Sequence, residues 1–167
     1  LYVRRLIVTK DNIPWITKYA PDYIKDIKGQ DSVIEKIIEY IKNYKKHKKK
    51  GMIIYGLSGS GKTCSIYAIA KDFDLEIMEI NASDYRNKAA IESIVGNASK
   101  QMSLFGKRKI ILIDEIDGLA GNKDRGGVQA LARMLANSIH PVIMTCIDPY
   151  EKKFSTLRKA VDIVQFN

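Results

Sequence analysis

The feature that most constrains the fold is an eight-residue run, Gly56-Leu57-Ser58-Gly59-Ser60-Gly61-Lys62-Thr63, which fits the pattern G-x-x-x-x-G-K-[ST]. The apolar stretch Met52-Ile53-Ile54-Tyr55 precedes it, so the sequence predicts a buried strand, a phosphate-binding loop and a helix. Glycines allow backbone N–H groups to turn toward a phosphate, and the positive end of the helix dipole points at the same anion. The run therefore predicts that the chain binds a nucleoside triphosphate.

The residues of this loop have separate expected roles. Lys62 would reach the β- and γ-phosphates, and the hydroxyl of Thr63 would bind Mg²⁺. The backbone of the loop would surround the phosphates. The predicted nucleotide-contacting residues are Gly56, Leu57, Ser58, Gly59, Ser60, Gly61, Lys62, Thr63 and Cys64.

A second acidic element follows further along the chain. The apolar run ending at Ile113 is followed by Asp114 and Glu115. Asp114 would hold Mg²⁺ through water, and Glu115 would polarise an attacking water as a general base. An acidic pair after a strand is by itself an ordinary polar loop start, but beside a complete phosphate-binding loop it favours catalysis. The predicted catalytic residues are Glu115 and Lys62, the predicted metal ligands are Thr63 and Asp114, and Asp117 is predicted to stabilise the following turn.

Alternating apolar segments predict an α/β fold. Apolar runs predict strands at 52–55, 75–80, 110–113, 142–146 and 161–166, and helical periodicity lies at about 31–44, 62–71, 87–99 and 128–137. Because strands alternate with helices, we expect a five-stranded parallel sheet flanked by helices on both faces. Asp31 and Ser32 are expected to cap the first of these helices, and the lysine run 45–50, with His47, to form a solvated connection.

Composition limits the class of protein. A chain of 167 residues that is 46% hydrophobic suits one domain over 1–167, with 1–13 as an N-terminal extension. No segment reaches the ~18 apolar residues of a membrane span, so an intracellular protein without a membrane partner is expected. Cys64 and Cys146 form no C-x-x-C pair and are predicted to be reduced core thiols. The net charge of +9 favours a polyanionic partner, although a lysine-rich surface alone gives the same charge.

Several further motifs resemble those of one family. The motifs are Trp15-Ile16-Thr17-Lys18-Tyr19-Ala20-Pro21, Gly29-Gln30, Asn81-Ala82-Ser83-Asp84-Tyr85-Arg86-Asn87-Lys88, Ser103-Leu104-Phe105-Gly106, Asp114-Glu115-Ile116-Asp117-Gly118-Leu119, Asp124-Arg125-Gly126-Gly127-Val128-Gln129 and Asp148-Pro149. Together they resemble the large subunits of archaeal replication factor C, which are clamp loaders of the AAA+ ATPase class. The resemblance covers the chain from about Pro14 onward. It implies a P-loop AAA+ core that binds ATP and Mg²⁺ in the cytoplasm of an archaeal cell.

The resemblance also implies partners and further site residues. Clamp-loader small subunits would complete a hetero-oligomer, a pentamer, that uses ATP to load a sliding clamp onto primer–template DNA. The lid and collar domains of the family would follow Asn167 and are absent from this chain. In the family, the residues matching Tyr19, Pro21, Ile27 and Lys28 form the adenine pocket, and those matching Arg86, Lys88 and Arg125 face DNA phosphates.

Three departures from the family pattern affect these implications. Ala20 replaces an arginine and Lys28 a valine near the adenine pocket, and Ile147 replaces the sensor-1 asparagine. An isoleucine cannot hydrogen-bond the γ-phosphate or the attacking water, which leaves Thr145 and Asp148 as candidate substitutes. In addition, the arginine that small subunits give to a neighbouring ATP site corresponds here to Ala160, and Arg158 is expected to face solvent or DNA.

Two alternative functions therefore stay open. One is a nucleotide-gated assembly module of the same family that binds ATP and barely hydrolyses it; Ile147 favours this alternative, and the acidic pair Asp114-Glu115 disfavours it. The other is a P-loop kinase, which shares the phosphate-binding loop. A kinase gives no reason for the stretch Asn81-Ala82-Ser83-Asp84.

Overall fold

A parallel sheet forms the centre of the molecule in the computed structural model, which describes residues 15–82, 108–119 and 127–167. Its strands are β1 (Gly51–Tyr55), β2 (Glu76–Asn81), β3 (Lys109–Asp114), β4 (Val142–Cys146) and β5 (Val161–Gln165). All four neighbouring pairs are parallel, in the order β2-β3-β4-β1-β5. This arrangement confirms the predicted five-stranded parallel sheet. The sequence forms it because continuous Ile- and Val-rich runs suit strands that are buried on both faces.

Five α-helices surround the sheet in the described part of the chain. They are α1 (Trp15–Lys18), α2 (Asp31–Asn43), α3 (Lys62–Asp72), α4 (Gly127–Asn137) and α5 (Ser155–Ala160). The sequence predicted α2, α3 and α4 but neither of the short helices α1 and α5. The helix predicted at 87–99 lies outside the described residues. None of the described helices is long and apolar enough to cross a membrane.

Apolar side chains form one cluster on each face of the sheet. Ile53 points toward α4 and α5 and packs with Leu131 and Leu157, which are all fully buried. The next residue, Ile54, points to the opposite face and packs with residues of α2 and α3. This alternation follows from the two-residue period of a strand. Since burying one such side chain contributes roughly 1.5–3 kcal/mol, the two clusters fix the helices on both faces.

The start of α2 differs from the prediction. The residue that precedes its first turn is Gln30, and neither Asp31 nor Ser32 occupies the capping position. The Gln30 side chain is buried and bonds to Asn167 instead: its amide nitrogen donates to the Asn167 carbonyl, and its amide oxygen accepts from the Asn167 N–H. Gln30 therefore ties the start of α2 to the chain that leaves β5.

The lysine run after α2 is only partly the solvated connection that was predicted. Lys45, Lys46 and Lys48 are exposed, as expected. Lys49 Nζ donates to the Val161 carbonyl oxygen at 3.0 Å, and Lys50 Nζ to that of Tyr44 at 3.2 Å. His47 is also not simply solvated, because its Nδ1 lies 3.4 Å from the Asp162 carboxylate and its ring meets Tyr40 edge-on. The contacts with Val161 and Asp162 attach the connection to the start of β5.

Candidate functional site

The phosphate-binding loop leaves the carboxyl end of β1 and leads into α3. Gly59 and Gly61 have φ of 78° and 98°, values that side-chain-bearing residues rarely adopt. Gly56 is required for a different reason, because a Cβ atom there would lie 2.2 Å from the Phe166 carbonyl oxygen. The loop therefore rests directly on the backbone that leaves β5, where the Phe166 N–H donates to the Tyr55 carbonyl at 2.7 Å.

Lys62 begins α3 and lies inside the curve of this loop. Only 9% of its surface is exposed, and Nζ donates to the carbonyl oxygens of Gly56 at 2.9 Å and Leu57 at 2.8 Å. Both contacts position the ammonium group beside the first turn of an eleven-residue helix. A buried cation and the positive end of the helix dipole thus meet at the same place, which suits an anionic ligand.

Asp114 brings two hydroxyl groups together at the end of β3. Its Oδ1 atom accepts hydrogen bonds from Thr63 Oγ1, at 2.8 Å, and from Thr145 Oγ1. Thr63 comes from α3 and Thr145 from β4, so three elements converge on one carboxylate. The oxygens of Thr63 and Asp114 are the ligand type that Mg²⁺ prefers, and their proximity fits the metal site predicted from the sequence.

Glu115 follows in an unusual backbone conformation. Its φ of 55° lies in the left-handed region, which is uncommon for a residue with a side chain and costs roughly 1–2 kcal/mol. The Glu115 N–H donates to Thr145 Oγ1 at 3.0 Å. The chain therefore turns sharply at the end of β3, and it does so next to the residues that hold the phosphate-binding loop.

A cavity of about 800 Å³ connects these groups. Its volume suits a ligand of nucleotide size. One wall consists of aromatic and apolar residues that precede α2, the floor is the phosphate-binding loop, and the other wall comes from the ends of β3 and β4. The lining residues are Trp15, Tyr19, Ala20, Pro21, Ser58, Gly59, Gly61, Lys62, Thr63, Cys64, Tyr67, Asp114, Glu115, Asp117, Gly118, Thr145, Cys146 and Ile147.

Some predicted site residues lie away from this lining. Ile27 is half-buried and packs against the cluster of α2 and α3, and Lys28 Nζ donates to the Lys25 carbonyl at 2.9 Å. Gly56 and Leu57 act through the carbonyl groups that hold Lys62, and Ser60 N–H donates to the Leu57 carbonyl at 3.3 Å. The predicted DNA contacts Arg86, Lys88 and Arg125 lie outside the described residues.

Two aromatic residues in the cavity wall were not predicted as site residues. Trp15 is 79% exposed, and its ring meets that of Tyr19 edge-on with centroids 6.4 Å apart. Tyr67 lies one turn after Thr63 on α3, and its hydroxyl bonds to the Glu79 carboxylate. Burial and this carboxylate raise the pKa of Tyr67 to about 12. The four-residue spacing on one helical face is the sequence signal that could have indicated Tyr67.

Both cysteines lie beside the cavity. Cys64 is half-buried and donates to the Gly61 carbonyl at 3.2 Å, whereas Cys146 is buried at the end of β4. Burial raises the pKa of the Cys64 thiol, and it raises that of Cys146 to about 12. Both side chains are consequently neutral thiols near pH 7, although Cys64 lies in the wall of the cavity and not in the core.

The segment after β4 is attached to the turn after β3. The Asp117 carboxylate accepts the Ile147 N–H at 2.9 Å, and the Asp117 carbonyl accepts Lys153 Nζ at 3.1 Å. Asp117 thus attaches the segment after β4, and its predicted role in stabilising the following turn stays a prediction. The Ile147 side chain lies at the cavity and is 56% exposed, whereas Asp148 accepts the Tyr150 N–H at 2.8 Å within its own turn.

Arg158 holds the same segment from α5. Its Nη1 donates to the carbonyl oxygens of Pro149 at 2.7 Å and Glu151 at 2.9 Å, and the guanidinium lies 5.8 Å from the Tyr150 ring centroid. Arg158 is therefore half-buried and attached to this segment, so it does not simply face solvent as expected, and a contact with DNA stays a prediction.

Comparison with known proteins identifies the family. Residues 52–164 match the model of the ATPase family associated with various cellular activities (AAA). The chain belongs to this AAA ATPase family. The five-stranded parallel sheet and the phosphate-binding loop after β1 agree with the fold that the sequence predicted.

Curated relatives narrow the comparison to one kind of AAA protein. The chain is 43% identical over 158 residues to a replication factor C large subunit of Nanoarchaeum equitans, covering 94% of this chain and 37% of that protein. It is 43% identical over 151 residues to one from Methanococcus maripaludis and 42% over 156 residues to one from Staphylothermus marinus, covering 31% and 37% of those proteins. The AAA chain is thus a homologue of these large subunits and spans about a third of their length.

Proposed function

We propose that this chain is the ATP-binding core of a clamp-loader large subunit. One observation carries the proposal: Thr63 is hydrogen-bonded to Asp114 and lines one cavity with the buried Lys62, in an AAA protein that is 43% identical to such a subunit over 94% of this chain. With small subunits, the protein would use ATP to load a sliding clamp onto primer–template DNA. Nothing in this function requires a membrane.

The binding step depends on the loop and the first turn of α3. Lys62 would exchange its two carbonyl contacts for oxygens of the β- and γ-phosphates, and the loop N–H groups would donate to the same anion. Bound Mg²⁺ would neutralise phosphate charge, with Thr63 and Asp114 as the residues that hold it. Tyr19 and Pro21 would contact the base, and we propose that Ile27 and Lys28 support this part of the pocket.

Hydrolysis depends on the residues after β3. Glu115 would accept a proton from the attacking water at its carboxylate, while Lys62 remains on the phosphates. We propose that this step is slow in the isolated chain, because the apolar Ile147 lies at the cavity where the family has an amide. In addition, an arginine supplied by a neighbouring subunit contributes roughly 10³ to 10⁵ in rate in comparable enzymes.

The assembly alternative deserves a separate test because the exposed Ile147 side chain favours it. If the protein binds ATP only to control assembly, Ile147→Asn should leave ATP turnover unchanged. If Ile147 limits a hydrolysing enzyme, the same variant should raise turnover. Steady-state phosphate release by the assembled complex, compared with Ile139→Asn as an exposed control outside the cavity lining, separates the two outcomes.

DNA contacts belong to the proposal as well. Arg86, Lys88 and Arg125 would contact phosphates and read no base edges, so binding should be independent of sequence and strongly dependent on salt.

With Ala160 at the position of the donated arginine, the subunit would accept an arginine from a neighbour and give none. That arrangement corresponds to one end of a spiral of subunits.

The decisive experiment uses the full-length protein with replication factor C small subunits and a sliding clamp from the same organism. Co-purification of all components and ATP-dependent loading of labelled clamp onto primed circular DNA support the proposal. Mg·ATP binding by titration calorimetry is measured in parallel. A protein that binds ATP but joins no small subunit and loads no clamp would contradict the clamp-loader function while leaving the nucleotide site intact.

A further inference from the structure

Thr145 is the one residue in the described cavity wall whose hydroxyl contacts both Asp114, the last residue of β3, and Glu115, which follows it. It lies in β4 with 1% of its surface exposed, and its Cα pairs with that of Ile54 in β1. A buried hydroxyl is retained at low cost only when its donor and acceptor functions are used. Both are used here, on Asp114 and on Glu115.

The two bonds run in opposite directions and reach consecutive residues. Thr145 Oγ1 donates its proton to Asp114 Oδ1 and accepts the Glu115 N–H at 3.0 Å. Between these contacts the backbone adopts the left-handed φ of 55° at Glu115. Because φ sets the direction in which a side chain leaves the backbone, a bond that holds the Glu115 peptide also helps to determine where its carboxylate points.

Thr145 cannot replace the amide that Ile147 lacks. Its single proton is donated to Asp114, so it has no proton to give to a water or a γ-phosphate. The Asp148 carboxylate accepts the Tyr150 N–H in its own turn and, as an acceptor, cannot take the place of the amide N–H either. The role left for Thr145 is to act through its two acidic neighbours and not on the nucleotide.

We propose that Thr145 is a positioning residue that fixes the direction of Glu115 for ATP hydrolysis, with Asp114 as the acceptor that anchors its hydroxyl. The proposal rests on the ATPase function argued above. Thr63 donates to the same Asp114 oxygen at 2.8 Å. The carboxylate therefore accepts one hydroxyl group from α3 and one from β4. Removing the Thr145 hydroxyl leaves the hydrogen bond from Thr63 to Asp114 in place. The variant should therefore change the orientation of Glu115 without changing the affinity for ATP.

The test compares three variants of the full-length protein. Thr145→Val keeps the shape and removes both hydrogen bonds, whereas Thr145→Ser keeps the hydroxyl. Ile54→Val removes a methylene group from the residue paired with Thr145 and changes no hydrogen bond. Single-turnover cleavage of radiolabelled ATP with protein in excess gives the rate, and titration calorimetry gives the dissociation constant for Mg·ATP.

Thr145→Val should lower the cleavage rate by about 10- to 100-fold, while the dissociation constant changes by less than about threefold. Thr145→Ser should recover most of the rate, and Ile54→Val should resemble the wild type. Adding Thr145→Val to Glu115→Gln should cause no further loss, because the hydroxyl acts through Glu115. A further loss in the double variant, or an unchanged rate in Thr145→Val, would overturn the proposal.

Hydrogen exchange at the Glu115 amide keeps the proposal testable if cleavage is too slow to follow. The amide should be protected in the wild type and in Thr145→Ser, and should exchange at least about tenfold faster in Thr145→Val. Equal protection in all three proteins would show that Thr145 does not hold this peptide. A wild type that binds no ATP at all would instead refute the ATPase function, whatever the exchange rates show.

Discussion

The two ends of the cavity are built in different ways. At the phosphate end, Lys62 is 9% exposed and donates to two loop carbonyls, and Asp114 accepts two hydroxyl groups. At the aromatic end, Trp15 and Tyr19 are 79% and 70% exposed and meet each other edge-on. The charged end is thus held by buried hydrogen bonds, whereas the aromatic end is an exposed segment attached at a few points.

Those points of attachment lie at the far end of α3. The Ile24 N–H donates to the Asp72 carboxylate at 2.8 Å, and Lys71 Nζ lies 2.5 Å from the Asp22 carboxylate. Lys71 also lies over the Tyr23 ring, 4.7 Å from its centroid. Exposed contacts of this kind contribute little individually, so we expect changes at the aromatic end to have smaller effects than changes at the phosphate end.

The largest effect is expected from Lys62→Ala. It removes the buried cation beside the loop, and hydrogen bonds from a charged group contribute about 1.5–3 kcal/mol, so Mg·ATP affinity should fall by about 100-fold. Titration calorimetry measures the affinity, with Lys36→Ala on the exposed face of α2 as the control. If folded Lys62→Ala bound Mg·ATP as tightly as the wild type does, the phosphate end would not be the main contributor to ATP affinity.

Gly56→Ala should reduce stability most among changes in the loop. The added Cβ would lie 2.2 Å from the Phe166 carbonyl oxygen, so we expect unfolding to become easier by about 3 kcal/mol. Gly59→Ala is the matched control: its Cβ meets no atom within 4 Å, and only the φ of 78° is unfavourable. That change should cost about 1 kcal/mol.

Chemical denaturation followed by circular dichroism measures both glycine variants. The difference between their free energies of unfolding reports the clash with the Phe166 carbonyl oxygen, apart from the general preference for glycine in the loop. If Gly59→Ala proves as destabilising as Gly56→Ala, the close approach to Phe166 is not what constrains the loop.

Tyr19→Ala tests the aromatic end directly. Stacking of an aromatic side chain on a base contributes about 1–3 kcal/mol, so ATP affinity should fall by about tenfold, less than in Lys62→Ala. Tyr19→Phe keeps the ring and should bind nearly as the wild type does. A loss for Tyr19→Ala as large as that for Lys62→Ala would reverse the order of importance of the two ends.

The smallest effect is expected from Asp72→Ala. It removes the acceptor for the Ile24 N–H and should weaken ATP binding by about threefold, because the base-side segment loses one attachment to α3. Glu39→Ala, on the exposed face of α2, serves as the control. The two variants are compared by calorimetry, and identical affinities would show that this tether does not position the segment.

The same division explains what the sequence could predict. The strands were located to within a residue because each is a short apolar run buried on both faces. Thr63 and Asp114 are hydrogen-bonded and line one cavity with Lys62, because a fixed loop follows β1 and the carboxyl ends of parallel strands share one edge. The strands and the phosphate-binding loop could be predicted because each depends on a short run of consecutive residues.

The remaining features depend on tertiary contacts that have no local pattern. Helix α5 has six residues, too few to show a periodicity, and depends on the full burial of Leu157. The bonds of Arg158 to Pro149 and Glu151 require that helix to exist first. In the same way, the bonds between Gln30 and Asn167 join residues that lie far apart in sequence.

Helix α3 serves both ends of the cavity. Its first residue, Lys62, belongs to the phosphate end, and its last residues, Lys71 and Asp72, hold the segment that carries Tyr19. Eleven residues at 1.5 Å each span about 16 Å, and a hydrogen-bonded helix does not change this length. In the proposed ATP complex, the helix would therefore set the separation between the base contact and the phosphate contacts, so that the site would select its ligand by length as well as by charge.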